Sequence, residues 1–530
     1  MTARGRVGTV RGVRLAAIDL GSNSVHMVVA DVSPDGRIQV VDRVKEMVRL
    51  GRRAFTTGAL TKETTELAER AVTNFGRLAK ARHVQRLRAV ATSAVREARN
   101  GAAFVRRLRR RTGLPIEVIS GLDEARLIFR GVRHALGLEG GPYLLVDVGG
   151  GSVELTLVED GKPLWMRSVP LGVARLTERF LPTDLPTARQ VRALERHVTG
   201  TIGDLLDRAR RRGVVSVIGT SGTINTLVAM ARSGRDEDAG RLHGAAATRE
   251  EIRALRRRIV ASDAGARAEL PGMDTKRVDL MPAAAVLLDL ILTRTRVPYL
   301  TVCGWALREG VLLELARVNG AGAATRLGRR RAVVALAGRY AGDNAHGRQV
   351  ARLATALFDG VAPTLGLPAA GRELLEYAAL LHDIGHAVDH DRHQRHSYYL
   401  VKNSELLGFD PDEIDIIALV ARGHRKQTPK LSAPELQTLP ASKRKLVRGL
   451  AAMLRVADAL DRTHFGVVKS LRLGKTSGRV TIDVDAGAEN AELELWAAER
   501  RVDLLSRLLD RPVVVRALSP SRRTARRRAS

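Results

Sequence analysis

Between Leu15 and Val48 the apolar residues fall in short alternating runs, the period-two pattern of half-buried strands. Over Thr61–Arg82 the spacing lengthens to that of an amphipathic helix, and strand-like runs return at Leu87–Ala91 and Ile116–Ile119. A second region repeats the theme, with strands at Tyr143–Val148, Val153–Val158 and Pro163–Val169, long helices from Thr187, and strands at Val214–Ile218 and Tyr299–Val302. This alternation predicts two α/β lobes, over residues 1–131 and 132–318. The small residues from Asn319 to Thr325 read as a linker. Beyond it the pattern is almost wholly helical over 325–469, then strand, strand, helix, strand over 470–518. The last residues, 519–530, include Arg526, Arg527 and Arg528 and read as a disordered basic tail.

An internal repeat organises the first two regions. Ile18-Asp19-Leu20-Gly21-Ser22-Asn23-Ser24-Val25 aligns without gaps on Val146-Asp147-Val148-Gly149-Gly150-Gly151-Ser152-Val153, and each copy predicts strand, tight turn, strand. Glycine at such a turn is expected to permit positive φ and to let backbone N–H groups approach a ligand, while the preceding Asp ends a buried strand and points into the same space. Two such turns face to face would cradle phosphates. Gly21, Ser22, Asn23 and Ser24 in one copy, and Gly149, Gly150, Gly151 and Ser152 in the other, are therefore candidate phosphate-binding residues. Asp147 and Glu154 flank the second turn and suit Mg²⁺ or Mn²⁺, which neutralises charge as a bridging oxygen departs. A single glycine-rich turn could be only a hairpin; the duplication is what argues for a site.

Charge narrows the partner. The 530 residues carry a formal net charge of +31, which attracts polyanions, although many arginines will be solvated helix faces. Aromatic residues are only 3%, so stacking platforms for nucleic acid are scarce and nucleic acid is the weaker candidate. No apolar run approaches the ~18 residues that span a bilayer, and Met1–Arg14 lacks the apolar centre of an export signal, so a cytoplasmic protein that does not enter membranes is expected. The single cysteine, Cys303, has an apolar context and is expected to be a buried structural thiol.

The pair Ala17-Ile-Asp-Leu-Gly-Ser-Asn-Ser-Val-His-Met27 and Val146-Asp-Val-Gly-Gly-Gly-Ser-Val-Glu-Leu155 closely resembles the exopolyphosphatase and guanosine pentaphosphate phosphohydrolase (Ppx/GppA) family. Ser120-Gly-Leu-Asp-Glu-Ala-Arg-Leu-Ile-Phe129, Gly219-Thr-Ser-Gly-Thr-Ile224 and Leu307-Arg-Glu-Gly-Val-Leu312 look like three more of its signatures, in order. The resemblance implies two actin-like, ribonuclease H-like lobes, and it makes Glu124 the group that orients and deprotonates the attacking water. Ser120 to Asp123 has capping-box spacing, which puts Glu124 in a first helical turn where the macrodipole favours its ionised form; on spacing alone it would be an ordinary dipole-complementing residue. Arg96 and Arg277 match positions where the family keeps basic residues near its substrate.

In the helical segment, His346 lies on an apolar stripe with Val350, Leu353 and Leu357; Leu380-Leu-His382-Asp383 ends another; and Leu446, Leu450 and Leu454 lead to Asp458. His, His-Asp, then Asp is the pattern of HD-type phosphohydrolases, and the surrounding sequence looks like the C-terminal domain of long family members, followed by a small α+β domain. These four residues could hold a second divalent metal or be satisfied polar groups of a core. His386, His390, His393 and His396 could support a further ion, but their spacing mixes turn and helix and no role is assigned to them. The expected function is Mg²⁺-dependent release of orthophosphate from inorganic polyphosphate by a homodimer. Alternatives are 5′-phosphate removal from guanosine pentaphosphate, a non-catalytic sensor of polyphosphate or guanosine penta- or tetraphosphate, and a kinase, since this architecture also serves ATP-dependent transfer.

Overall fold

A computed structural model describes residues 12–33, 38–233, 242–317, 326–342, 344–404, 406, 408–425, 436, 439–475 and 478–518. The expected linker at Asn319–Thr325, the basic tail and most of the N-terminal basic stretch lie outside the described residues. The chain divides into two compact units, Met1–Gly328 and Arg329–Ser530.

The first unit holds two sheets built to one plan. In the first, β1 (Val13–Leu20), β2 (Ser24–Val32) and β3 (Ile38–Met47) form an antiparallel meander, and β4 (Arg86–Ala91) and β5 (Ile116–Val118) join β1 in parallel, giving the order β3-β2-β1-β4-β5. In the second, β6 (Tyr143–Val148), β7 (Val153–Glu159) and β8 (Lys162–Val169) repeat the meander. Strands β9 (Ser216–Thr220) and β11 (Tyr299–Val302) extend it in parallel, and β10 (Ala246–Thr248) closes the edge. The duplicated hairpins carry the same register: Asp19 pairs across from His26, and Asp147 from Glu154.

Local chemistry sets these elements. The helix Lys62–Ala81 starts where Thr61 Oγ1 accepts the Thr64 N–H, and it turns Ala68, Val72, Phe75 and Ala79 into the first core, beside Ile18, Met27 and Val29. The helix Ala188–Arg211 has a full capping box at Thr187 and Gln190 and buries Val191, Leu194, Val198, Ile202 and Leu206 in the second core.

Three expectations need revision. The strand expected from Val214 begins at Ser216: Val215 is exposed, and the ladder with β6 starts one residue later. The division at 131/132 falls inside one continuous helix, Gly121–Leu136. That helix packs on β7 and β8 and against the helix Leu307–Leu315, which follows β11 in the chain yet packs on β1, β2 and β4. Each lobe thus lends a helix to the other. At the crossing the backbones nearly touch: a Cβ added at Gly131 would lie 2.7 Å from the Ala306 carbonyl oxygen, and one at Gly310 would strike that of Leu127.

In the second unit the helices Ala345–Leu365, Gly371–Leu381, His393–Lys402, Pro411–Arg422 and Ala441–Ala459 enclose one apolar core. A three-stranded sheet, β12 (Ser470–Lys475), β13 (Val480–Asp485) and β14 (Val513–Ala517), contributes Val480, Ile482, Val484, Val513 and Val515 to that same core. Residues 470–518 are therefore continuous with the helical segment and not a separately packed domain: their sheet and the helices Glu492–Glu499 and Asp503–Leu509 bury residues in the same core as the helices before them. Among the described residues no helix is long and apolar enough to cross a membrane.

Candidate active site and a second ligand cluster

The two repeated turns are closed by the same bond. Gly21 N–H donates to Ser24 O at 3.1 Å, and Gly149 N–H to Ser152 O at 3.0 Å. Their carbonyls are tied to scaffold behind them: Ser22 O accepts from Gly51 N at 2.7 Å and Asn23 O from Arg49 N at 2.8 Å, while Gly149 O and Gly150 O accept from Val173 and Ala174 at the start of the helix Val173–Phe180. With the carbonyls held back, no backbone carbonyl among the described residues takes the N–H groups of Ser22, Asn23, Gly150 or Gly151. These four donors are free to meet an anion.

The turns meet. A Cβ at Gly150 would lie 3.0 Å from Ser22 Cβ, and one at Gly151 would run into the Phe55 ring and Ser93. None of the turn glycines has positive φ, so the expected reason for glycine is corrected: at Gly150 and Gly151 close approach of other segments excludes a side chain, and at Gly21 and Gly149 an added Cβ would press on the Ser24 and Ser152 carbonyl oxygens of the same turn. The hydroxyls also have scaffold roles. Ser22 Oγ lies 2.9 Å from Ser93 Oγ, and Ser24 Oγ lies 2.7 Å from His26 Nε2. Ser152 lines a cavity of about 590 Å³ together with Arg96, Ser120, Gly121, Arg167 and Ser168.

Carboxylates converge on this place. Glu154, 2% exposed, accepts from Ser168 Oγ at 2.7 Å through Oε1 and leaves Oε2 buried without a partner; Asp19 Oδ1 is buried and unpartnered as well. Asp147 accepts from the Thr220 hydroxyl. Glu124 stands at the fourth position of the helix Gly121–Leu136, capped by Ser120, and Arg96 Nη1 reaches its Oε2 at 3.1 Å while also donating to Ile119 O. Burial pushes Glu154 up to about 8, with the Asp147 charge adding to it. Burial likewise lifts Asp19 to about 7 against the pull of Arg308, and raises Asp147 above the usual carboxylate range. Glu124 is driven well up by burial and then by Glu154, against Arg96. This corrects the expectation that the helix dipole decides its state: a 6%-exposed carboxyl facing other carboxylates feels desolvation and like charge more strongly than a partial charge of the helix end. Orphaned carboxylate oxygens in a closed oxygen-rich site are what a hard divalent cation requires, so Asp147 and Glu154 fit Mg²⁺ or Mn²⁺, with Asp19 beside them.

A basic wall faces the acids. Arg277, buried, bonds to Asp274 at 3.1 Å and to Thr223 Oγ1 at 3.3 Å, against the start of the helix Gly222–Arg232. Arg308 Nη1 sits 2.6 Å from His26 Nδ1. Burial, then Arg308, Lys45 and Arg277, press His26 down to about 2, so it stays neutral. Asp19, Arg308, His26, Lys45 and Thr220 were not singled out as site residues from the sequence; for all but Lys45, their place inside quoted motifs was the available signal. Ser221 was not singled out either, and its backbone sits at φ 102°, ψ 157°, a region nearly reserved for glycine.

In the second unit, His346, His382 and Asp458 form one potential ligand group, and Asp383, His386 and His393 another. His346 Nε2 lies 3.4 Å from Asp458 Oδ1 and 3.8 Å from Asp383 Oδ2; His382 Nε2 lies 3.5 Å and 3.6 Å from the same two oxygens. The four expected residues are thus together. His346 Nδ1 lies 2.8 Å from Asp461 Oδ2, while its Nε2 is buried without a hydrogen-bond partner. His393, one of the histidines to which the sequence assigned no role, and His424, 31 residues apart from it, join the cluster.

Residues 28–318 match the Ppx/GppA phosphatase family, and residues 329–496 match Ppx/GppA phosphatase, domain III. The guanosine-5'-triphosphate,3'-diphosphate pyrophosphatase of Vibrio vulnificus (strain YJ016) is 30% identical over 501 residues, covering 92% of this chain and 96% of its own. The crystal structure of an exopolyphosphatase from Cytophaga hutchinsonii is similar over 58% of this chain and 99% of its own, with 29% identity and a TM-score of 0.54. The Ppx/GppA member of Aquifex aeolicus is similar over 57% of this chain and 98% of its own, with 28% identity and a TM-score of 0.50.

Proposed function

Because the chain belongs to the Ppx/GppA phosphatase family, we propose that its lobe cleft is an exopolyphosphatase site that releases terminal phosphate from inorganic polyphosphate. The carrying observation is the meeting of the two turns, four unclaimed N–H donors among them, beside buried carboxylates with orphaned oxygens. The N–H groups of Ser22, Asn23, Gly150 and Gly151 bind the terminal phosphoryl oxygens, and Arg96 and Arg277 offset charge at the flanks. Glu124 takes a proton from the attacking water as its oxygen bonds to phosphorus and the bridging anhydride oxygen leaves with the rest of the chain. Burial and then Glu154 raise its proton affinity, so a proton taken from water is held more firmly than by an exposed carboxylate. Asp147 and Glu154 would hold Mg²⁺ or Mn²⁺, whose charge would offset that of the phosphate and favour the ionised form of the surrounding carboxylates.

A second reading, removal of the 5′-phosphate from guanosine pentaphosphate by the same groups, is favoured by the Vibrio relative that covers 92% of the chain. The net charge of +31 favours the longer polyanion. The second unit is read as an HD-type domain with a divalent metal at His346, His382, Asp383 and Asp458, and the whole as a cytoplasmic homodimer. Orthophosphate release from the two substrates, measured side by side with Mg²⁺, tests both readings. Glu124→Gln should lower kcat at least about 100-fold on the true substrate while leaving the melting temperature unchanged or higher. Undiminished release by that variant would remove Glu124 from the mechanism, and faster turnover of the guanosine nucleotide would reverse the order of the two substrates.

A further inference from the structure

The helix Leu307–Leu315 packs on β1 and β2, and its second residue, Arg308, reaches His26 on β2. Arg308 Nη1 lies 2.6 Å from His26 Nδ1, and His26 Nε2 lies 2.7 Å from Ser24 Oγ, so three side chains stand in line. Their order fixes the protons. A guanidinium has only donors, so Nδ1 of His26 accepts and is bare; in the neutral ring the proton then sits on Nε2. That N–H donates to Ser24 Oγ and occupies one of its lone pairs, and the hydroxyl's own proton has to point away from His26.

Ser24 is buried, and its carbonyl closes the first turn by accepting the Gly21 N–H. Among the described residues no group other than His26 is bonded to its Oγ, and the orphaned Asp19 Oδ1, on the residue paired across from His26, does not take the hydroxyl proton. That proton is left in the same turn as the free N–H groups of Ser22 and Asn23. The duplicated copy has the opposite polarity. Ser152 and Glu154 occupy the matching places, and Glu154 pairs across from Asp147 as His26 does from Asp19. An ionised carboxylate only accepts, so it attracts a hydroxyl proton where the His26 N–H repels one.

We propose that Arg308 and His26 are positioning residues that hold Ser24 as a hydrogen-bond donor to the phosphoryl group bound at the two turns. The chain of two bonds begins at a charged guanidinium, which polarises the imidazole N–H and through it the hydroxyl. Ser24 thereby adds a side-chain donor to the four backbone N–H groups, on the first turn alone. Arg308 follows β11 of the second sheet in the chain yet packs on the first sheet, so a residue lent by one lobe sets the donor of the other. The inference rests on the phosphate-binding reading of the cleft and adds two residues that act on the substrate only through Ser24.

The test joins nuclear magnetic resonance to kinetics on the full chain. With histidine labelled with nitrogen-15, the ring whose signals vanish in His26→Gln should carry its proton on Nε2 and have a bare Nδ1; a proton on Nδ1 would overturn the proposal whatever the activity. Ser24→Ala should lower kcat/KM for phosphate release from polyphosphate or guanosine pentaphosphate by about 10-fold or more, as losing a hydrogen bond to a charged group does. His26→Phe should cost about as much, and the double variant no more than either alone. His26→Gln, which keeps an acceptor for Arg308 and a donor for Ser24, should recover most of the loss. Losses that multiply in the double variant, or no recovery with glutamine, would make His26 a packing residue and overturn the proposal. The resonance measurement does not use His26→Phe, so it decides even if that variant fails to fold. Absence of release by the wild type from both substrates would overturn the functional reading and this proposal together, whereas release with multiplying losses overturns this proposal alone.

Discussion

Ser221 shows how a single residue records the demands of the cleft. Its positive φ costs about 1–3 kcal/mol, and its hydroxyl returns part of that by accepting the Ile224 N–H at 3.3 Å. Glycine relieves the strain and loses only a few tenths of a kcal/mol as a cap. Ser221→Gly should therefore raise the melting temperature, and a fall on thermal unfolding would show the backbone angle to be unstrained. Cys303 is the opposite case, a group without chemistry. It is buried, and burial pushes its thiol up to about 12, so alkylation of the folded protein should remain slow through pH 9 and accelerate only on denaturation. Rapid labelling at pH 8 without denaturant would contradict this. Cys303 was legible from its apolar neighbours. The proton affinity of Glu124 was not, because it depends on Glu154 and Asp19, which lie far off in the chain and near in space.

At the scale of elements, the duplicated strand-turn-strand was readable because alternation and repetition are local properties. The purpose of Gly150 and Gly151 was not, since what excludes a side chain there comes from other parts of the chain. Gly172 extends the point: a Cβ there would collide with the backbone of Gly150 and Gly151, which cannot swing aside as a side chain could. Gly172→Ala should cost about 1–3 kcal/mol of stability and impair activity together, by displacing the second turn. Gly200, inside the helix Ala188–Arg211 with nothing within 4 Å of an added Cβ, is the control. Gly200→Ala should stabilise by about 0.5–1 kcal/mol, as helix propensity requires, and leave turnover unchanged. Equal effects from the two alanines in thermal unfolding and phosphate-release assays would refute the steric account. The helices exchanged between lobes were hidden for a related reason: an apolar stripe on Leu307–Leu315 looks the same whichever sheet it covers.

For the whole molecule, charge and core count matter more than any one contact. A phosphate chain many units long would make ionic contacts that weaken together as salt screens them, the Debye length shrinking from about 10 Å at 0.1 M to about 3 Å at 1 M. With a net charge of +31, the Michaelis constant for long polyphosphate should rise much more steeply with KCl than that for a chain of three or four phosphates. Parallel slopes in steady-state assays would confine recognition to the terminal units. The chain divides between Gly328 and Arg329, and the single core shared by helices and sheet in the second unit was not legible in the sequence, because periodicity reports a buried face without reporting what it is buried against.

The crossing at Gly131 and Gly310 leaves no room for even a methyl group on either helix. Glu124 rides on one of the two helices, and the other packs on the strands that carry the first turn. Alanine at either glycine would part the helices there, and the displacement would reach both halves of the cleft at once.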